Sequence, residues 1–303
     1  MQKRDHRADL FTALQRLLPQ HTLSRLLGKL ANARTPSLKN VLIRQFVRHY
    51  QVDLSEADRD QPELYATFND FFTRALQPGA RPVDDDPCCI TSPADGVVSQ
   101  IGRVQQGRLV QAKNHTYSLQ ELLGGDQQQA QHFADGAFAT IYLSPRDYHR
   151  VHMPLAGRLV ATRYVPGKLF AVNAVTARGI PGLFARNERL VCTFTTDIGE
   201  MVLVLVGAMF VAGIETVWKA HYQPQIDHLE TFTTHSQGIM TFAKGAEMGR
   251  FKFGSTVIML LPPAVTWQAS FKPGVSARMG EKLGDFQASQ DKKKPGQGPG
   301  GEG

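Results

Sequence analysis

The chain has 303 residues, an apolar share of 42%, a charged share of 20% and a formal net charge of +7. That is the composition of a folded globular protein, long enough for one large core or two small ones. Its three cysteines, Cys88, Cys89 and Cys192, make neither a disulfide framework nor a Cys-x-x-Cys metal pair, which fits a reducing, cytosolic setting.

The charge is unevenly placed. Residues 1–50 hold ten Lys or Arg against Asp5 and Asp9, and the remainder is close to neutral. The basic character therefore belongs to an N-terminal arm. No apolar run reaches 18 residues, so no spanning helix is expected. The longest candidate, residues 201–214, is interrupted by Gly207 and Gly213 and reads as two buried strands. The N-terminus carries no h-region and cleavage site of a secretory signal.

Leu10, Phe11, Leu14, Leu17 and Leu18 fall at helical spacing, and Pro19 stops that helix or allows a new start. Thr22 is the expected cap of a second helix, whose Leu23, Leu26, Leu27 and Leu30 form a stripe beside Arg25 and Lys29. Ser37 is the expected cap of a third, with Leu38, Val41, Leu42 and Phe46 inward. Leucine stripes flanked by basic residues suit helices lying on an anionic membrane surface. They suit equally a helical hairpin that covers the core. Nucleic acid fits less well, because the first two helices hold one aromatic, Phe11, and no base-reading motif is present.

Phe68, Phe71 and Phe72 share a helical face and are expected in the core. Residues 77–82 (Gln-Pro-Gly-Ala-Arg-Pro) read as a turn and connector, and Asp84 to Asp86 as a solvated acidic patch. From Ile90 onward the chain is β-rich: residues 96–98, 138–143 and 191–194 are short runs of β-branched or aromatic residues between Gly and Pro. Two segments look alike. Residues 92–98 and 153–160 each run Pro-x-x-Gly into a strand, which points to a weak internal duplication. The pattern is also similar to lipoyl- and biotinyl-type barrels, and implies a closed or sandwiched β core. Beyond Phe286 a Lys-Lys-Lys run gives way to Pro-Gly repeats, the composition of a disordered tail. The expected architecture is α+β: amphipathic helices over 1–78, a β-rich domain over 79–286 and a tail over 287–303.

Two segments carry chemistry. Residues 142–154 (Tyr-Leu-Ser-Pro-Arg-Asp-Tyr-His-Arg-Val-His-Met-Pro) hold His149 and His152 three apart. Such a pair can bind a metal, supply a base or be structural. No third ligand stands at a recognisable spacing, so no metal is expected. In residues 244–258, Gly249 and Gly254 allow backbone turns that other residues resist. Val257 to Leu261 continue as a buried strand, with Ser255 at its mouth. Taken as a tripeptide, Gly-Ser-Thr is a hairpin turn; as chemistry, it is a serine beside its own preceding carbonyl, in need of a base. His115 reads as a satisfied loop residue or a pocket residue, and Glu247 as a surface residue or one that orients the loop.

The Glu-x-Gly-x-Phe run leading into Gly254-Ser255-Thr256 resembles the self-cleavage segment of the pyruvoyl-dependent phosphatidylserine decarboxylases. Phe253 stands where that family usually has Leu. The His-x-x-His element at 149–152, the Pro-Ala-Asp-Gly at 93–96 and the Phe-Asn-x-Phe-Phe-x-Arg run at 68–74 resemble the same family in the same order, over residues 38–285. The resemblance is most similar to bacterial membrane-associated members. It implies a relay in which Asp95 orients His152 and His152 takes the proton of Ser255. The Gly254–Ser255 bond would then break, leaving a β chain of residues 1–254 and an α chain of residues 255–303. Ser255 would become a pyruvoyl cofactor that condenses with the amine of phosphatidylserine, and His149 would donate the proton after CO2 leaves, acting near its ordinary pKa. The implied partners are phosphatidylserine, an anionic membrane surface on the cytoplasmic side and the paired α and β chains. Two rival readings stay open: a pyruvoyl decarboxylase of a soluble amino acid, and a non-catalytic β-barrel or scaffold at a membrane surface.

Overall fold

The structure is a computed structural model that describes residues 15, 19–112, 115–209, 213–220, 222, 230–233, 239–252 and 255–287. Apart from Gln15, the first expected helix lies outside the described residues, as do Phe253, Gly254 and residues 288–303 of the tail.

Helix α1 spans Gln20–Ala31 and α2 spans Pro36–Tyr50. Neither begins where expected. α1 starts directly after Pro19, inside which Thr22 is an ordinary helical residue. α2 starts at Pro36 with Thr35 as N-cap, because proline is preset for the first helical turn. The faces match the expectation only in part: Leu42 and Phe46 of α2 pack on the core, whereas Leu38 and Val41 do not. α1 buries Gln20, Ser24, Gly28 and Ala31, and α2 buries Lys39 and Ile43. Leu26, Leu30, Leu38 and Val41 are 60%, 40%, 39% and 50% exposed. The reason is backbone satisfaction: residues 167–171 of the β domain are irregular, and their polar groups need partners. Gln20 Oε1 accepts from Leu169 N–H at 2.8 Å, Gln15 Oε1 from Ala171 N–H at 2.9 Å, and His21 Nε2–H donates to the Gly167 carbonyl at 3.0 Å. The polar face is claimed by the core, and leucines face outward. Between α1 and α2 an apolar groove of about 390 Å³ is lined by Leu27, Leu30, Leu42, Phe46 and Phe68 among others.

Helix α3 (Phe68–Phe72) is capped by Thr67, whose side chain accepts from Asp70 N–H. Phe68, Phe71 and Phe72 are buried, as their spacing predicts, around Phe46.

The β domain contains β1 (Cys89–Thr91), β2 (Gly96–Arg103), β3 (Arg108–Ala112), β4 (His115–Ser118), β5 (Ala137–Leu143), β6 (Arg150–His152), β7 (Gly157–Val165), β8 (Arg189–Thr196), β9 (Gly199–Val206), β10 (Ile214–Thr216), β11 (Glu230–Thr233), β12 (Thr241–Phe242), β13 (Glu247–Phe251), β14 (Ser255–Leu261), β15 (Val265–Trp267), β16 (Ser276–Ala277) and β17 (Lys282–Phe286). The large sheet runs β11–β7–β8–β9–β14–β5–β2–β16, with β12 also on β7. Smaller sheets are β1–β17–β15, β10–β13–β6 and the hairpin β3–β4. All pairings are antiparallel, and among the described residues the large sheet does not close into a barrel. The central strands are apolar on both faces. Val257, Met259 and Leu261 join one core, and Ile258 and Leu260 the other. Such strands read as continuous hydrophobic runs, which is why 257–261 and 201–206 were legible. Among the described residues no helix is long and apolar enough to cross a membrane.

The two Pro-x-x-Gly segments are related by more than sequence. Thr91 N–H donates to the Pro154 carbonyl (3.2 Å), and His152 N–H donates to the Pro93 carbonyl (2.8 Å). Thr91 and His152 each stand two residues before their proline. The correspondence continues. Ser92 N–H and Gly280 N–H pair with Glu281 O and Ser92 O, as Met153 N–H and Gly245 N–H pair with Ala246 O and Met153 O. Ala277 lies opposite Gly96 in β2, as Phe242 lies opposite Gly157 in β7. Lys282 faces Thr91, as Glu247 faces His152. Gly245 and Gly280 share a left-handed backbone, φ 81° and 86°, which glycine adopts without strain. The duplication expected from two short motifs thus extends across four segments that exchange backbone hydrogen bonds.

Candidate active site

The site lies where the two repeats cross and differ. Asp95 follows Pro93 in the first repeat, and His152 precedes Pro154 in the second. Their backbones meet at the His152 N–H to Pro93 carbonyl bond.

Asp95 is 7% exposed. Arg81 grips its carboxylate through Nε, at 2.9 and 3.0 Å, and through Nη2 at 2.5 Å, while Met279 N–H donates at 2.8 Å. Arg81 also pairs with Glu56 at 2.9 Å. Burial acts to lower the Arg81 pKa, but its hydrogen bonds to Asp95 and Glu56 outweigh it and hold the guanidinium firmly charged.

His152 is buried. Its Nδ1–H donates to the Gly245 carbonyl at 2.8 Å, which fixes the tautomer, and Nε2 accepts from the Tyr148 hydroxyl at 3.0 Å. Burial lowers its pKa; the Gly245 carbonyl and the Glu247 charge partly oppose this. Asp95 therefore does not hydrogen-bond the His152 ring in this structure. Both ring nitrogens and both Asp95 oxygens have other partners, and the Asp95 charge reaches His152 only as a minor electrostatic contribution that opposes the effect of burial.

His149 is fully buried, and its ring packs on Phe72 with centroids 4.0 Å apart. Nδ1–H donates to the Asp147 carbonyl at 2.9 Å, and Nε2 has no hydrogen-bond partner. Burial pushes its pKa down to about 3, and the Arg74 charge adds to the effect. The expectation of a histidine near its ordinary pKa is corrected: enclosed by Phe72 and without a carboxylate partner, His149 is neutral, with a bare lone pair on Nε2.

Ser255 opens β14 opposite Leu143, the last residue of β5, and is fully buried. Strand alternation sends its side chain to the face of Val257 and Met259, toward the core that contains Val151 and Met153 beside His152. Among the described residues its hydroxyl has no hydrogen-bond partner. On the preceding strand, Phe251 N–H is held by the His149 carbonyl at 3.0 Å. The short span from Phe251 to Ser255 is therefore anchored at one end on His149 and at the other on Leu143. Gly254 itself lies outside the described residues.

Of the two unassigned residues, Glu247 belongs to the site. It faces His152 in register and pairs with Arg150 and Arg250 at 2.8 Å each. His115 lies on the β3–β4 hairpin opposite Ala112. Sequence reasoning missed Arg81, read as a connector residue, and Tyr148, read as part of the histidine segment. Nothing local ties Arg81 to Asp95; the signal is the fold. Among the described residues no cluster of three metal-ligating side chains occurs. A cleft of about 370 Å³ opens beside the site, lined by Arg74, Asp95, Ser144, Asp147, Tyr148 and Arg278 among others.

A buried serine with a free hydroxyl at a strand mouth, on a span whose other end is held by the His149 carbonyl, defines the class of a serine-centred site. The sequence pattern of the family described as Phosphatidylserine decarboxylase matches residues 68–285, and one described as PSD matches residues 10–51. Three relatives are named phosphatidylserine decarboxylase proenzyme. That of Stutzerimonas stutzeri (strain A1501) is 54% identical over 278 residues, 91% of this chain and 94% of that protein. That of Bordetella pertussis (strain Tohama I) is 54% identical over 277 residues, 90% and 93%. That of Azotobacter vinelandii (strain DJ) is 53% identical over 280 residues, 91% and 97%. The chain belongs to the phosphatidylserine decarboxylase family.

Two predictions follow the geometry. Arg81→Met leaves the Asp95 carboxylate buried without its counter-charge and costs about 3–5 kcal/mol; adding Asp95→Asn recovers much of the loss, as urea unfolding reports. For His149, the folded pKa lies below the unfolded value of 6.5. The unfolded chain therefore takes up a proton first, and stability present above pH 6.5 declines as pH falls. Between pH 7 and 5 the Ser255→Ala protein loses stability more steeply than the Ser255→Ala/His149→Phe protein; equal slopes would contradict a neutral buried His149.

Proposed function

We propose that this chain cuts itself between Gly254 and Ser255 and then decarboxylates phosphatidylserine to phosphatidylethanolamine. The observation that carries the reading is the Ser255 hydroxyl: fully buried, without a hydrogen-bond partner, at the junction anchored by His149 and Leu143. Leaving such a group unpaired costs about 1–3 kcal/mol, a cost more readily understood at a reacting atom than at a structural one.

In the first act His152 takes the Ser255 hydroxyl proton, once its Nε2 releases the Tyr148 hydroxyl. Ser255 Oγ attacks the Gly254 carbonyl carbon, the C–N bond breaks, and the freed amine of residue 255 takes the proton. Loss of the residue 255 α-proton then breaks the Cβ–Oγ bond. Residues 1–254 leave with a C-terminal carboxylate, and water displaces ammonia from residue 255 to leave a pyruvoyl group. The surroundings of Ser255 suit this product: they are dry, and β14 is paired with both β5 and β9. Those pairings, with β16 on β2 and β17 on β1, support α and β chains that stay assembled after cleavage.

In the second act the pyruvoyl group supplies an electron sink for the pair left behind as CO2 departs. His149 handles the proton. Its free Nε2 takes a proton from the substrate ammonium, making the amine nucleophilic, and returns it to the α-carbon after CO2 has left. A neutral starting state, rather than a charged one, suits that cycle. Phe72 keeps water from it.

The outward leucines of α1 and α2 and the apolar groove between them support a lipid substrate over a soluble amino acid, and a peripheral position on a membrane surface. Residues 1–78 are then the membrane-associating region and 79–286 the catalytic domain. The test is CO2 release from phosphatidylserine vesicles. Wild type releases CO2; Ser255→Ala stays one chain and is inert; His149→Ala is cleaved into two chains yet inert. Loss of cleavage in His149→Ala would overturn the division of roles, and wild-type turnover of free serine without the lipid would overturn the substrate.

A further inference from the structure

Arg74 is 4% exposed and sits on the turn after α3. Its Nη2 donates to the carbonyls of Arg146 (3.0 Å) and Asp147 (3.4 Å). Its Nε and Nη1 have no hydrogen-bond partner, although the guanidinium carbon lies 5.7 Å from the Phe71 ring centroid. Among the described residues no carboxylate forms a salt bridge with it. The two nearby acids are committed elsewhere: Asp95 to Arg81 and Met279 N–H, and Asp147 to Ser144 through the backbone N–H (2.6 Å) and the hydroxyl (2.7 Å). A buried cation without a counter-charge is costly, and this one lines the cleft beside the active site.

We propose that Arg74 is the receptor for the substrate's phosphodiester, its guanidinium supplying the uncompensated positive charge at the wall of the cleft. This rests on the proposed function and adds the residue that grips the headgroup. The Asp147 carbonyl accepts from both Arg74 Nη2 and His149 Nδ1, so an anion on Arg74 lies one carbonyl away from His149. The ligand is the phosphodiester and not the carboxylate for a chemical reason. Charge-assisted hydrogen bonds that hold the carboxylate stabilise the state before CO2 loss and slow the reaction, whereas the phosphodiester keeps its charge throughout. Arg74 also repels a proton from His149; a bound phosphodiester relieves that repulsion and helps His149 take its proton once substrate is seated.

The test compares Arg74→Met and Arg74→Lys. Intact mass first verifies that both self-cleave, which separates this inference from the proposed function. On short-chain phosphatidylserine, Arg74→Met raises KM about tenfold or more while kcat changes less, and Arg74→Lys restores part of the loss. Binding is read separately by ligand-observed NMR on the uncleaved Ser255→Ala protein. Glycerophosphoethanolamine binds and L-serine does not, and Arg74→Met abolishes the signal. An unchanged KM in both variants overturns the assignment, as does binding of L-serine lost in Arg74→Met, which makes Arg74 a carboxylate site. Inorganic phosphate binding as well as glycerophosphoethanolamine would assign the site to free phosphate and overturn the headgroup reading. If Arg74→Met does not self-cleave, Arg74→Lys carries the comparison.

Discussion

The hydrogen bond from His152 N–H to the Pro93 carbonyl, with its counterpart from Thr91 N–H to the Pro154 carbonyl, is the constraint on which the site depends. Each repeat alone is a strand, a Pro-x-x-Gly turn and a second strand, with nothing reactive in it. Crossed, the repeats join the turn that holds Asp95 to the strand that holds His152 through a backbone hydrogen bond. The symmetry of the backbone makes the asymmetry of the side chains useful. Thr91 stands where the second repeat has His152, and Ala156 where the first has Asp95. Gly245 and Gly280 occupy equivalent left-handed positions, but only Gly245 lends its carbonyl to a histidine ring. The Arg81 pair with Asp95 then locks one end of the arrangement, and the Glu247 pairs with Arg150 and Arg250 the other.

Within that frame the reactive groups are kept short of partners. Ser255 Oγ, His149 Nε2 and two nitrogens of Arg74 are all buried and unpaired. Most buried polar groups in proteins are paired; unpaired ones occur elsewhere in this chain as well, at Ser24 and Tyr117 for example, and Ser255, His149 and Arg74 differ in belonging to the segments that form the candidate site. On the proposed function the three have separate tasks: a hydroxyl to be converted, a lone pair to carry a proton, a cation to hold an anion. The unit repeated in the fold supplies rigidity, and the residues that depart from it supply the chemistry.

The sequence made the β core legible because both faces of β9 and β14 are buried, leaving continuous apolar runs. It also made Asp95, His149, His152 and Ser255 legible, through three short motifs in a familiar order. Two things were not legible. The leucine row of α1 left two orientations open, because nothing local shows that the loop at 167–171 takes Gln15, Gln20 and His21 for its backbone groups; in α2, Leu38 and Val41 were expected inward and are exposed, while Leu42 and Phe46 pack as expected. The network around Asp95 and His152 was hidden because Arg81, Tyr148 and Gly245 reach their partners through tertiary contacts that no local spacing encodes.

The measurement that bears most directly on the central claim is the intact mass of the purified, denatured chain. Ser255 as the reacting atom predicts two species: residues 1–254, and a chain from position 255 whose first residue has the mass of pyruvoyl rather than serine. A single species of 33.5 kDa that persists after long incubation would contradict it, and would leave the buried hydroxyl of Ser255 a structural cost without a purpose.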